Sequence, residues 1–205
     1  MLNRRHLIQS AVFGLAATAV LGGLLRPAMA KAADGVIIKP ELLTRASAAY
    51  GKHGASITQR DIIAIADFSA ASHDRRFHLF NVHNGQTASL LVAHGKGSDP
   101  EHSGWLQSFS NIPGSEASSA GSYIIGESYF GQHGQSLRLQ GLDPENDQAE
   151  SRAIVIHPAW YVSDAMIQDH GKLGRSQGCF AVSEGDIAQV LERLGTGSFL
   201  FADKV

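Results

Sequence analysis

The stretch GRSQGCFAVS, residues 174–183, carries the only cysteine of the chain, Cys179. A lone cysteine forms no intramolecular bridge, so this thiol is a small buried hydrophobe, an intermolecular link or a reactive nucleophile. Its neighbours favour the nucleophile. Gly178 allows a close backbone approach and unusual dihedrals. Backbone amides around Gln177, Gly178 and Cys179 could donate to a developing oxyanion, and Ser176 could bond the neighbouring backbone or an imidazole. Arg175 could clamp a substrate carboxylate.

A thiol with an ordinary pKa near 8.5 needs a base or a charged partner before it attacks. Of the 10 histidines, His157 is the best placed. It ends the apolar run AIVI and precedes Pro158, so a buried strand would hold it firmly at a rim, which suits a general base. A short helical stretch lies between His157 and Cys179 and can return the chain to that rim. His133, in the glycine-rich GQHGQS, and Arg138, in the following SLRLQG, are further candidates for the cleft. His53, His73, His78, His83 and His94 read as surface or structural residues.

The elements that would position these groups follow from periodicity. DIIAIADFS, RRFHLFNV and QTASLLVAHG read as three strands, with a hairpin-type turn at HNG, residues 83–85. SYIIGESYF, QSLRLQG, RAIVIH and GSFLFA read as further strands. Between them, residues 95–121 form a long Gly/Ser/Pro-rich loop of the kind that tends to be functional. It is expected to cover the site, with Trp105 and Phe109 as its apolar contacts. Two short helices are expected late in the chain. SDAMIQDHG has Ser163 as N-cap and Gly171 as stop; SEGDIAQVLERLG pairs Ser183 with Asp186 at capping spacing and lines up Ile187, Val190, Leu191 and Leu194. The fold class is therefore mainly β with a few helices (α+β).

Three segments are distinguished. Residues 1–30 have a basic start, an apolar run of 15 residues and AMA at the end, the layout of a secretory signal peptide cleaved after Ala30. The run is shorter than the ~20 residues of a membrane-spanning helix; an uncleaved anchor is the alternative. Arg4 and Arg5 match a twin-arginine signal loosely. Residues 31–60 are expected to be a helical lead-in beginning at Pro40, and residues 61–205 the domain that carries the candidate groups. With 17 basic against 19 acidic residues, the charge offers no reason to expect nucleic acid, and no stable membrane insertion is expected after cleavage. An exported protein in the periplasm or cell envelope follows.

RAIVIHPAWYVS and LGRSQGCFAVS, with GESYFGQHGQSLRLQGLDP before them, resemble the L,D-transpeptidase catalytic domain (YkuD-like), and more narrowly its murein branch. The order and spacing of these pieces carry the resemblance, which spans residues 60–201. Where the broader family has histidine before Gly-Cys this chain has Gln177, and Phe180 and Ala181 stand where arginine or asparagine is common. The resemblance implies a β-rich fold, Cys179 as nucleophile, His157 as base, and peptidoglycan stem peptides as partner and substrate. The implied reaction forms a thioester acyl-enzyme, releases D-alanine and makes a cross-link. An L,D-carboxypeptidase on the same site and a degenerate peptidoglycan-binding member are the alternatives. No cofactor is implied. His94, His102, His133 and His157 prompt a metal-hydrolase reading, but HExxH and a cysteine pair are missing, so no metal site is expected. A papain-like enzyme would place cysteine before histidine, the reverse of the order here.

Overall fold

The structure, a computed structural model, describes residues 38–205; the segment read as a signal peptide lies outside them. One helix, α1 (Pro40–Lys52), precedes strands β1 (Ile62–Asp67), β2 (Phe77–Asn81), β3 (Thr87–Leu90) and β4 (Val92–Ala93). The 95–121 loop leads to β5 (Gly121–Gly131), β6 (Gly134–Gly141) and β7 (Val155–Pro158). Helix α2 (Asp164–His170), β8 (Phe180–Val182), α3 (Ile187–Arg193) and β9 (Phe199–Asp203) complete the chain. The strands form one nine-stranded sheet in the order β3-β2-β1-β9-β5-β6-β7-β8-β4. Only β1–β9 and β7–β8 pair in parallel.

The two end strands of this order, β3 and β4, are consecutive in the chain and separated only by Leu91. The sheet therefore curls back on itself, as one covalent strand pair joins both of its edges. Side-chain alternation then divides two apolar clusters. Ala64, Ala66, Leu79, Tyr123, Leu139, Ile156, Phe180 and Leu200 face the enclosed core. Ile63, Ile65, Phe80, Phe199 and Phe201 face outward, where Leu42, Leu43 and Ala46 of α1 cover them. The lead-in helix thus packs on the sheet, and Asp143 ties it down further by accepting from Lys52 Nζ at 2.6 Å and pairing with His53 at 2.9 Å.

Local signals account for the helix ends. Ser163 Oγ accepts from Met166 N at 3.3 Å, and Gly171 takes the left-handed φ of 72° that closes α2. Ser183 and Asp186 bond each other reciprocally, but they form the turn before α3, which starts only at Ile187. QTASLLVAHG breaks at Leu91 into two strands rather than running as one, and FAV after the cysteine is a strand that periodicity did not reveal, because three residues carry too short a pattern.

Candidate active site

The parallel pair β7–β8 builds the site. Their register sets Ile156 beside Phe180 and His157 beside Ala181. Ile156 and Phe180 point into the core, so by alternation His157 and the residue before β8, Cys179, share the outer face. Both line a cleft of about 980 Å³, together with His133, Tyr129, Arg152, Ala153, Tyr161, Arg175, Ser176 and Gln177. The 95–121 loop supplies the opposite wall through Pro113, Gly114 and Glu116. It does cover the site, but not with the residues expected. Phe109 turns inward to pack on Phe68 at 5.9 Å between ring centroids, and Trp105 lies outside the cleft lining.

His157 is buried, with Nδ1 2.9 Å from the carbonyl oxygen of Pro158. A carbonyl only accepts, so Nδ1 carries the proton and Nε2 keeps the lone pair of a base. The His133 ring stacks on His157 at 4.4 Å and 25°. Burial lowers the His157 pKa below the ordinary histidine value; the Pro158 carbonyl opposes this, and the His133 ring adds to the lowering. The Cys179 thiol donates to Ala153 O at 3.6 Å. Burial pushes its pKa up, against the backbone N–H of Val155 and the charge of Arg152. The resting pair is therefore thiol and neutral imidazole rather than an ion pair.

The turn before the thiol is tied to its surroundings through its backbone. Ser176 Oγ donates to Cys179 O at 2.7 Å and accepts from Gly178 N at 3.1 Å. This is the backbone role among those considered for Ser176. It also occupies the Gly178 N–H, which is thus not directed at the cleft. Gly178 O accepts from Ser118 Oγ, which in turn accepts from Gly95 N. Ser176 N donates to His94 O, and Lys96 N to Ser176 O.

Gly178 takes φ 117°, and a Cβ there would lie 2.8 Å from Ala117 O. Gly95 faces it, with an added Cβ only 2.7 Å from Gly178 Cα. Two glycines thus let three backbone segments meet behind the thiol. Gly178→Ala is expected to lower turnover by ~100-fold or more, since a 1 Å displacement of a reacting group costs about that much. Assay of the folded variant beside wild type checks this, and a loss below threefold would refute it.

The remaining candidates separate. Gln177 is exposed on the cleft wall. Arg175 lines the cleft, but its Nη1 donates to the carbonyls of Asp99 and Pro100, the latter at 3.1 Å, so it pins the loop. Arg138 is not among the cleft-lining residues; its guanidinium stacks over Tyr129, 4.3 Å from the ring centroid, and so buttresses one that is. Arg152 was missed by sequence reasoning. It donates to Ser110 O at 2.8 Å, to Ser119 Oγ at 2.7 Å and to Ala117 O, and so holds the loop wall in place beside the sulfur. Tyr161 was missed as well. Arg152 carried no local signal, because it reaches the cleft only through its contacts with the distant loop. Among the described residues no group of three or more His, Cys, Asp or Glu side chains could hold a metal ion, and no helix is long and apolar enough to cross a membrane.

A curled sheet with a thiol and an imidazole on one outer face defines a cysteine-centred cleft. The family model of the L,D-transpeptidase catalytic domain matches residues 35–202, and the chain belongs to that family. Three solved structures are among those similar to it. L,D-transpeptidase 3 from Mycobacterium tuberculosis, in complex with a faropenem-derived adduct, is 14% identical, with 70% of this chain and 60% of that one covered and a TM-score of 0.44. An L,D-transpeptidase from Mycobacterium smegmatis is 11% identical, with coverages of 70% and 58% and a TM-score of 0.43. The helical cell shape determining protein Pgp2 from Campylobacter jejuni is 13% identical, with coverages of 72% and 48% and a TM-score of 0.46. The chain thus spans between about half and three-fifths of the length of these proteins. No curated protein matches it.

Proposed function

We propose that the protein is a cysteine-dependent L,D-transpeptidase acting on peptidoglycan stem peptides in the periplasm or cell envelope. The observation that carries this reading is the cleft that Cys179 and His157 line together, with the basic nitrogen of His157 left without the proton. His157 Nε2 accepts the thiol proton as sulfur attacks the carbonyl of the third stem residue. Arg152 and the Val155 N–H favour the negative sulfur as the proton leaves. With Gly178 N–H engaged by Ser176 Oγ, the oxyanion is left to the Cys179 N–H and the Gln177 carboxamide. D-Alanine departs with the proton from His157, leaving a thioester. An amine of a second stem then attacks the thioester, the thiol is restored and a cross-link results.

The test uses purified tetrapeptide muropeptides and reads products by mass spectrometry. A dimer lacking one D-alanine is expected. Tripeptide monomer alone would make the protein an L,D-carboxypeptidase, with water in the amine's place. Unchanged substrate would leave a binding member of the family.

The pH dependence has a definite sign. The base acts as neutral imidazole, so kcat/KM rises with pH through the His157 pKa. Burial and His133 hold that value down, so the acid limb lies below the ordinary value of about 6.5. His133→Gln removes the neighbouring ring and moves the limb upward. An unmoved limb in that variant would mean that the stack has no electrostatic effect on the base.

A further inference from the structure

We propose that Glu116 receives the amine of the second stem and so sets the balance between cross-linking and hydrolysis. This rests on the reading of the cleft as a transpeptidase site. Glu116 supplies the only carboxylate among the described residues that line the cleft, where Arg152, Arg175, His133 and His157 also stand. Once Cys179 is acylated, an incoming ammonium therefore finds one anionic partner on the cleft wall.

The backbone fixes where that partner sits. A Cβ on Gly95 would collide with Glu116 O and lie 2.7 Å from Gly178 Cα, so the Glu116 backbone abuts the residue preceding Cys179. Glu116 O accepts from Gly97 N at 3.0 Å. Arg152 Nη2 donates to Ser115 Oγ at 3.3 Å on one side of Glu116 and to Ala117 O on the other. Glu116 itself takes φ 53°, a left-handed conformation that costs free energy in a residue with a Cβ. Its neighbours thus over-determine its place. The carboxylate is held as well, since Lys96 Nζ meets Oε1 at 2.8 Å. Lys96 is not among the cleft-lining residues, so it reaches the carboxylate from outside the cleft. A carboxylate accepts further donors at both oxygens, and a pair between two partly exposed groups is weak enough to be shared.

The second half of the reaction gives such a group a task. An alkyl amine, with an ordinary pKa of about 10, arrives as ammonium and first gives one proton to solvent. The neutral amine attacks the thioester carbon, and positive charge returns to nitrogen as the C–N bond forms. Glu116 stabilises that charge where it develops. The nitrogen passes its next proton to His157 Nε2, the C–S bond breaks, and His157 returns the proton to sulfur. Water brings no ammonium to the carboxylate, so Glu116 favours the amine over water.

The test gives purified tetrapeptide muropeptides to wild type, Glu116→Gln and Lys96→Ala and reads the ratio of cross-linked dimer to tripeptide by mass spectrometry. Both products come from one thioester, so the ratio does not depend on how fast the thioester forms. Glu116→Gln is expected to lower it about fivefold, the upper range for one partly exposed charge pair. Lys96→Ala should leave it unchanged or raise it, since the carboxylate then has no competing cation. An unchanged ratio in Glu116→Gln, or an equal fall in Lys96→Ala, would overturn the assignment. A second measurement needs no turnover: calorimetric titration of Cys179→Ala, with and without Glu116→Gln, using the tetrapeptide muropeptide with its third-residue side-chain amine free or acetylated. Weaker binding of the acetylated form only where Glu116 is present, with no dimer from wild type, keeps the amine site and rejects the transpeptidase reading. Dimer from wild type at a ratio that Glu116→Gln does not change does the reverse. No dimer and no preference for the free amine would overturn both.

Discussion

Cys179→Ala is expected to lower the turnover of tetrapeptide muropeptides by at least about 10⁴-fold, the scale on which a nucleophile's removal from an acyl-transfer site is felt. No other thiol in the chain can substitute for it. The side chain is only half-buried and its donation to Ala153 O is a long one at 3.6 Å, so the variant should unfold in the same transition as wild type. Cys179→Ser should lose nearly as much, since a hydroxyl is far harder to deprotonate with an imidazole whose basicity burial has already reduced. His157→Ala should cost a similar amount, and the double variant little more than either single one, because nucleophile and base act as a unit. Mass-spectrometric product assay of the four variants checks this. Turnover within tenfold of wild type in Cys179→Ala would end the thiol mechanism.

The largest effect on stability is expected at Arg76. Its side chain is fully buried. Nε and Nη2 donate to Val92 O at 3.1 and 3.0 Å, and Nη1 donates to Ala70 O at 2.8 Å. Nη2 also meets His94 Nδ1 at 2.7 Å, and the guanidinium stacks over Phe68 at 5.0 Å. Burial lowers its pKa to about 9, with Asp67, Asp74 and Asp99 opposing the fall, so it remains charged at neutral pH. Because Nη2 donates to His94 Nδ1, the imidazole proton sits on Nε2, 3.4 Å from Asp99. Arg76→Ala leaves the Val92 and Ala70 carbonyls and an imidazole nitrogen without this donor. A cost of about 3–5 kcal/mol follows, seen as a Tm lowered by about 10 °C or more for a domain of this size. Arg76→Lys should recover only part of it, since one ammonium cannot serve three directions in a plane. Thermal and urea unfolding check the prediction, and an unchanged midpoint in Arg76→Ala would refute it. The same variant should slow turnover, because His94 O receives Ser176 N at the base of the turn that leads to Cys179.

Arg76 also shows where sequence reasoning stops. Within RRFHLFNV it is one of two adjacent arginines at the start of a strand, and arginine is almost never fully buried. Nothing local marks which of the two turns inward. Arg152 was illegible for a related reason: it belongs to the cleft only because the loop segment at residues 110–119, far away in the chain, packs against it. Strand β8 was missed because its stability comes from β7 and β4 on either side, not from a pattern in its three residues.

What the sequence determined by itself is what a few neighbouring residues can encode. Alternating apolar residues specified most strands, Ser163 and Gly171 specified the ends of α2, and a histidine ending a strand together with a Gly-Cys turn specified the groups able to do chemistry. Such patterns need only the local backbone period and local hydrogen bonds. The tertiary structure alone decided the closure of the sheet through Leu91, the β7–β8 register that sets His157 and Cys179 on one face, and the buried Arg76–His94–Asp99 chain behind the turn. Those depend on pairings between segments tens of residues apart, and their free energy comes from desolvation and contact on assembly, which no short stretch of sequence carries.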